Sequence, residues 1–161
     1  MGVFPKLAAF GNQNALSLSK TALFCSAQCP GRVILSVYDQ AVNWRDGGRC
    51  VIGGFHSPIE KDCLRILLRG QQSIIICLAR GLEGMRLPAD WKKPLAEGRL
   101  LLLSPFEAAE RRITKSLARQ RNHLVAALAD EIVFAHVTPG GELDHLRQQV
   151  ADWGVPHRVL C

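Results

Sequence analysis

Short apolar runs alternate with amphipathic segments from Lys20 to the end of the chain. Six of these runs predict β-strands, at residues 21–26, 49–54, 73–79, 99–104, 131–137 and 157–161. The segments between them are about ten to twenty residues long, the length of a right-handed crossover helix between parallel strands. The pattern therefore predicts an α/β fold of three layers, α/β/α, in which helices cover both faces of a mostly parallel sheet of about six strands.

Residues that favour helix ends mark several of the predicted helices. A first helix is predicted over residues 31–46, where two glycines follow it. The second is the best defined, because Ser57 can cap its start and Pro58 and Glu60 suit its first turn. A short third helix is predicted over residues 88–97, and it opens on a proline.

The pattern also predicts how the chain is divided. Residues 1–19 form an N-terminal arm without clear periodicity, for which we predict at most a short helix packed on the sheet edge. Residues 20–161 are predicted to form one domain, which the total length of 161 residues allows. No internal repeat or low-complexity segment interrupts this domain.

The composition favours a globular protein with an anionic partner. The formal net charge of +6 favours nucleic acid, nucleotides or acidic lipid. The six cysteines form no C-x-x-C pair, and no secretory signal is recognisable, so we predict a reducing, cytoplasmic environment. No apolar window reaches the length of a membrane span, and the histidines and cysteines lack the spacing of metal ligands. We therefore predict no membrane contact, no metal and no cofactor.

The loops after the strands are the expected ligand-binding positions, because ligands of open parallel sheets bind beyond the carboxyl ends of the strands. Several of these loops carry glycine and lead into a helix N-terminus, where free N–H groups favour an anion. The candidate ligand-binding residues of these loops are Ser26, Gln28, Gly53, Gly54, Phe55, His56, Ser57, Arg80, Gly81, Gly140 and Gly141. Ordinary tight turns also need such glycines. No loop matches a P-loop or G-x-G-x-x-G, which argues against a P-loop ATPase and a common dinucleotide dehydrogenase.

Basic and aromatic side chains supply further candidates. Arg111, Lys115 and Arg119 recur every four residues and predict one basic stripe on a helix, with Ile113 and Leu117 on the opposite, buried side. The stripe is either a solvated face or a set of phosphate contacts. The aromatic rings of Phe55, His56 and Phe106 either stack on bases or, as is more common near strand ends, cap the core.

Five segments resemble, in order and spacing, the DNA processing protein A family, also called Smf. They are "FGNQNAL" with "KTALFCSAQCPG", "CVIGGFHSPIEKDCLRILLRG", "SIIICLARGLE", "AEGRLLLLSPF" and "ARQRNHLVAALADEIVFAHV". The resemblance runs from about Phe10 to Leu160 and implies a Rossmann-like domain that binds single-stranded DNA. It places Arg121 and Asn122, in the position of the family's R-N-R motif, at the ligand edge of the sheet. Ala27 and His123 stand where the family has arginines, which predicts weaker binding of the family's ligand or a different ligand.

A related group of the same fold, the cytokinin-activating phosphoribohydrolases, carries the motif P-G-G-x-G-T-x-x-E. The corresponding run here is "PGGELDHLR", in which Arg147 stands in place of the catalytic glutamate. Without that carboxylate, hydrolysis of an N-glycosidic bond lacks its main acid/base residue. We therefore name no catalytic residue and favour a binding protein over an enzyme.

Two main hypotheses follow from the sequence. The first is a binding protein that holds single-stranded DNA or nucleotide phosphates at the carboxyl edge of the sheet. The second is a sensor of a small nucleotide-like ligand, or a nucleotide-processing enzyme, that uses the same groove. A plainer alternative is a degenerate family member kept as an interaction protein. A homodimer is predicted, formed through an edge strand or through the C-terminal helix and strand.

Overall fold

The computed structural model describes residues 6–160 and contains seven strands and five α-helices there. The strands are β1 (Ala8–Gly11), β2 (Lys20–Cys25), β3 (Cys50–Gly53), β4 (Ile74–Cys77), β5 (Leu100–Ser104), β6 (Glu131–His136) and β7 (His157–Val159). The α-helices are α1 (Gly31–Asp46), α2 (Pro58–Leu68), α3 (Ala89–Ala96), α4 (Lys115–Leu128) and α5 (Glu142–Trp153), and a 3₁₀ helix spans Gln13–Ser17. Residues 1–5 of the predicted arm and Cys161 of the predicted last strand lie outside the described residues.

The strands form one sheet in the order β1-β5-β4-β3-β2-β6-β7. Strands β2 to β7 correspond to the six predicted strands and are parallel to one another, which confirms the α/β fold class. The arm contributes a seventh strand that the sequence does not predict, because β1 pairs antiparallel with β5 and places Phe10 opposite Leu102. The arm therefore contains an edge strand and a 3₁₀ helix.

The sheet is buried on both faces, which explains why its central strands read as continuous apolar runs. One face carries Leu23, Val51 and Ile76, which pack with buried residues of α1 and α2. The other face carries Phe24, Ile52 and Ile75, which pack with buried residues of α4 and α5. The domain thus has the three predicted layers. Among residues 6–160, no helix combines the length and apolar character needed to cross a lipid bilayer.

Candidate functional site

A groove of about 790 Å³ opens at the carboxyl edge of the sheet, where the strand order reverses. From β2 the chain adds β3, β4 and β5 on one side, then returns to place β6 on the other side of β2. Helices α1 and α5 therefore leave this point on opposite faces and open a crevice, the usual ligand position in such sheets. The lining residues include Cys25, Ser26, Ala27, His56, Ser57, Pro58, Glu60, Ile113, Thr114, Lys115, Ala118, Arg119, Arg121, Asn122, Thr138, Gly141, Glu142 and Leu143.

Arg121 of α4 is the buried cation of this groove, with only 4% of its surface exposed. Its Nε donates a hydrogen bond of 2.9 Å to Oδ1 of Asn122. Within residues 6–160, neither of its terminal nitrogens, Nη1 and Nη2, has a hydrogen-bond partner. Burial lowers the pKa of Arg121, and the nearby charge of Glu60 opposes that shift. An arginine remains protonated in proteins, so a cation with unused donors lies at the groove.

Gly54 provides the space in which the Arg121 guanidinium lies. A Cβ atom at Gly54 would overlap the Nε, Cζ and Nη1 atoms of Arg121. Gly54 follows directly after β3, so the end of this strand and helix α4 meet at a contact that only glycine permits. Gly54, which the sequence predicts as a ligand-binding residue, therefore leaves the space that the Arg121 guanidinium occupies.

Glu60 in the first turn of α2 holds the two neighbouring loops together. Its Oε2 accepts the Cys25 backbone N–H at 2.8 Å, and its Oε1 accepts the N–H groups of His56 at 2.9 Å and Ser57 at 3.2 Å. Burial raises the pKa of Glu60, while the three N–H donors and Arg121 oppose that shift. A phosphate bound at a helix N-terminus would use such N–H groups. The protein's own carboxylate thus accepts N–H groups from the end of β2 and from the loop before α2.

The loop before α5 is held by its own hydrogen bonds, whereas the N-cap of α5, Gly141, makes no side-chain capping hydrogen bond. The backbone N–H of Gly140 donates to Oδ2 of Asp144 at 2.9 Å, and the N–H of Gly141 donates to the carbonyl of Thr138 at 3.0 Å. The Gly140 N–H and then the Arg147 side chain lower the pKa of Asp144. The hydroxyl of Ser26 accepts the Thr138 N–H at 3.1 Å and joins this loop to the end of β2. Of the two predicted glycines, Gly141 lines the groove and Gly140 provides the turn, with a φ of 74°.

The predicted basic stripe is divided by the start of α4. Thr114 caps this helix by accepting the Leu117 N–H at 3.1 Å, so Arg111 lies before the helix and is not on its face. Lys115 and Arg119 line the groove. Ile113, predicted to be buried opposite the stripe, also precedes the helix, and 50% of its surface is exposed at the groove.

Arg119 is already paired in the structure. Its Nε and Nη2 donate to Oε2 and Oε1 of Glu142 at 2.9 and 2.8 Å, respectively. This pair joins the exposed faces of α4 and α5 at the groove. Hydrogen bonding from Arg119 lowers the pKa of Glu142.

The remaining predicted residues lie beside the groove or in the core. His56 is exposed and lines the groove, and burial followed by the charge of Arg121 lowers its pKa. Phe55 has a φ of 48° and is buried in the core, so its ring offers no stacking face to the groove. Gly53 ends β3 as a buried residue, whereas Gln28 is exposed outside the groove lining, and Phe106 is half-buried.

The loop after β4 belongs to a different part of the edge. The Gly81 N–H donates to the carbonyl of Glu110 at 2.7 Å, and a Cβ at Gly81 would overlap the backbone of Glu107. Arg80 donates from Nε to the Gly81 carbonyl at 2.9 Å. These contacts hold the loop against the segment after β5, and neither Arg80 nor Gly81 lines the groove.

The sequence analysis did not select Glu60, Glu142, Thr114 and Thr138 as site residues, although all four line the groove. One feature of the sequence does indicate a role for Glu60. A glutamate three residues after Ser57 is typical of a capping box, and the structure contains this capping box. That signal predicts a local role and not the contact with Cys25. Within residues 6–160, no three histidine, cysteine, aspartate or glutamate residues lie together as metal ligands would.

A sheet covered on both faces, with a ligand-edge groove at the reversal of strand order, defines a Rossmann-like α/β domain. Among solved structures, the chain is similar to DNA processing protein A from Helicobacter pylori, with a TM-score of 0.79 and 17% identity over 96% of this chain and 71% of that one. It is also similar to DNA processing protein A from Streptococcus pneumoniae, with a TM-score of 0.77 and 19% identity over 95% of this chain and 54% of that one.

These similarities confirm the Rossmann-like fold that the family resemblance implies. The H. pylori structure concerns a protein with a single-stranded DNA binding mode. No model of a protein family matches the chain, and no curated protein matches it.

Proposed function

We propose that the chain binds single-stranded DNA through its phosphates, in the groove at the carboxyl edge of the sheet. The observation that carries this proposal is Arg121, a buried cation beside the groove whose terminal nitrogens have no partner within residues 6–160. These nitrogens are not fully enclosed, so their donors can be reached from the groove. A phosphate oxygen would accept these donors and neutralise the charge.

The chemistry of arginine suits a phosphate better than it suits a neutral ligand. A guanidinium presents parallel N–H donors in a plane, which match two oxygens of a phosphate. Asn122 orients this plane through the Nε hydrogen bond, and Gly54 leaves the space for it. Lys115 adds a second, exposed cation at the groove. The fold similarity to the H. pylori protein supports DNA as the source of the phosphate.

A small nucleotide-like ligand is the second candidate. It is favoured by the carboxylates of Glu60 and Asp144, which accept N–H groups from the end of β2 and from the loops before α2 and α5. Those N–H groups are therefore not offered to further phosphates, which suits a ligand with one phosphate at Arg121. The same groove would serve a sensor or a nucleotide-processing enzyme.

Fluorescence anisotropy with a labelled oligonucleotide of about 16 nucleotides tests the first candidate, since single-strand sites commonly span up to this length. We expect binding that weakens with salt, with a slope of log K against log salt near −0.7 for each phosphate contacted. Absence of binding, or binding that does not respond to salt, would contradict the proposal. A mononucleotide that binds as tightly as the oligonucleotide, or one retained by the purified protein in native mass spectrometry, would favour the second candidate.

We also propose a cytoplasmic homodimer. Strand β1 pairs only with β5 and strand β7 only with β6, so each has one unpaired edge within the described residues. Phe10 on β1 is 53% exposed and Val159 on β7 is 37% exposed, which gives each edge an apolar contact. We expect sedimentation velocity to give twice the chain mass, and a single species of one chain mass at high concentration would reject the dimer.

A further inference from the structure

Arg119 and Glu142 lie between the groove and a second cavity. This second cavity, of about 500 Å³, lies between α4 and α5 and is lined by His123, His145, Leu146 and Gln149 in addition to the residues shared with the groove. Arg119, Asn122 and Glu142 line both cavities. The Arg119–Glu142 ion pair therefore lies on the direct path from one cavity to the other, next in space to Asn122, the partner of Arg121.

The geometry of this pair matches that of an arginine holding a phosphate. Two nitrogens of Arg119 donate to two oxygens of Glu142 at 2.9 and 2.8 Å, the bidentate arrangement that arginine also makes with phosphate. The side chains are 55% and 59% exposed, respectively. An ion pair in such contact with water contributes little to stability, so exchanging one anion for another at Arg119 disturbs the fold little.

On the basis of the proposed phosphate-binding function, we infer that Arg119 forms a second phosphate subsite beside Arg121 and that Glu142 occupies this subsite in the unliganded chain. The ligand is the next phosphodiester of a single strand that runs from the groove across the pair into the cavity between α4 and α5. The carboxylate of Glu142 is released to solvent when the phosphate takes its place.

The surroundings keep Glu142 charged and able to compete. Arg119 lowers the pKa of Glu142, first through its hydrogen bonds and then through its charge. At neutral pH the subsite is therefore closed by an ionised carboxylate. Single-stranded DNA must displace it, whereas a ligand with one phosphate is satisfied at Arg121 alone.

Glu142→Gln is the direct test, because it removes the competing charge and keeps the size of the side chain. We expect the variant to bind the oligonucleotide about three- to tenfold more tightly than the wild type and to add about 0.7 to the magnitude of its salt slope, as one further phosphate contact does. Glu110→Gln is the matched control, because Glu110 is an exposed carboxylate after β5 that does not line the groove. It corrects for the general effect of removing one negative charge.

Arg119→Ala, introduced into the wild type and into Glu142→Gln, tests whether Arg119 is the cation that binds the additional phosphate. We expect it to cancel the gain of Glu142→Gln, and to weaken the binding of the wild type by less than it weakens that of Glu142→Gln. A 5′-mononucleotide should gain no more from Glu142→Gln than from Glu110→Gln.

The inference is overturned if Glu142→Gln and Glu110→Gln bind the oligonucleotide equally, or if Arg119→Ala has the same effect in both backgrounds. Those results would leave the proposed function standing, because it is tested by the salt-dependent binding of the oligonucleotide to the wild type. A gain for the mononucleotide that matches the gain for the oligonucleotide would also overturn the inference.

Discussion

Replacing Arg121 with methionine is expected to weaken binding of the labelled oligonucleotide by about 10- to 100-fold, which corresponds to the loss of charge-assisted hydrogen bonds worth about 1.5–3 kcal/mol. Methionine is chosen because it fills much of the buried space of the arginine and supplies no donor. The loss should be accompanied by a smaller salt slope, since one phosphate contact disappears. Anisotropy titrations at several salt concentrations measure both quantities.

Two further substitutions separate the charge from its geometry. Arg121→Lys keeps a positive charge but loses the planar pair of donors, so we expect an affinity between those of the wild type and Arg121→Met. Arg69→Met is the matched control, since Arg69 is exposed at the end of α2, away from the groove lining. If Arg121→Met and Arg69→Met bind alike, Arg121 is not the phosphate contact.

Gly54→Ala changes the same cation without altering its chemistry. The added methyl group would overlap the buried guanidinium, which then has to move from its position beside Asn122. We expect Gly54→Ala to fold and to bind the oligonucleotide more weakly than the wild type does, as we expect of Arg121→Lys. Binding equal to that of the wild type would show that the position of the guanidinium does not matter.

Replacing Glu60 with alanine is expected to reduce the free energy of unfolding by about 3–5 kcal/mol, as removal of one member of a buried charged network commonly does. The N–H groups of Cys25, His56 and Ser57 would lose their acceptor, and Arg121 would lose the favourable charge of Glu60. Denaturant unfolding measures the change. Glu83→Ala, in an exposed loop position, is the control, and an equal loss for both variants would contradict the role given to Glu60.

Glu60→Gln should cost less than Glu60→Ala, because one oxygen still accepts hydrogen bonds. Burial raises the pKa of Glu60 above its ordinary value, so the folded state binds this proton more tightly than the unfolded state. The stability of the wild type relative to Glu60→Gln should therefore increase as the pH falls through the raised pKa of Glu60 towards about 4.3, the ordinary value of a glutamate. A relative stability that falls over that range would indicate a lowered pKa instead.

Much of the fold could be predicted because its strands are buried on both faces. The runs that became β2 to β6 are long and apolar enough to be recognised without knowledge of their neighbours. Strand β1 could not be recognised, because its four residues "AAFG" are largely exposed and become a strand only by pairing with β5. The predicted stripe was also wrong at Arg111, since the spacing of Arg111, Lys115 and Arg119 is helical although α4 begins only at Lys115, after its N-cap Thr114.

The candidate site could be predicted in position but not in detail. The order of strands and loops is enough to bring Ser26, His56 and Arg121 to one edge, and the structure places all three at the groove. The sequence could not show that Glu60 reaches the N–H of Cys25, 35 positions away, or that Arg119 meets Glu142. Those contacts depend on side-chain conformations and on the distance between elements, which periodicity does not report.

Strand β1 has a consequence for the whole sheet. Its partner β5 contains four consecutive leucines, all buried, and β1 covers the side of β5 that does not face β4. At the end of β1, Gly11 has a φ of 113°, and a Cβ there would overlap the Leu100 carbonyl. A substitution at Gly11 that releases β1 would leave an apolar strand with open hydrogen-bonding groups, a template onto which other chains can add strands. This short antiparallel strand thus protects the domain against aggregation at its most apolar edge.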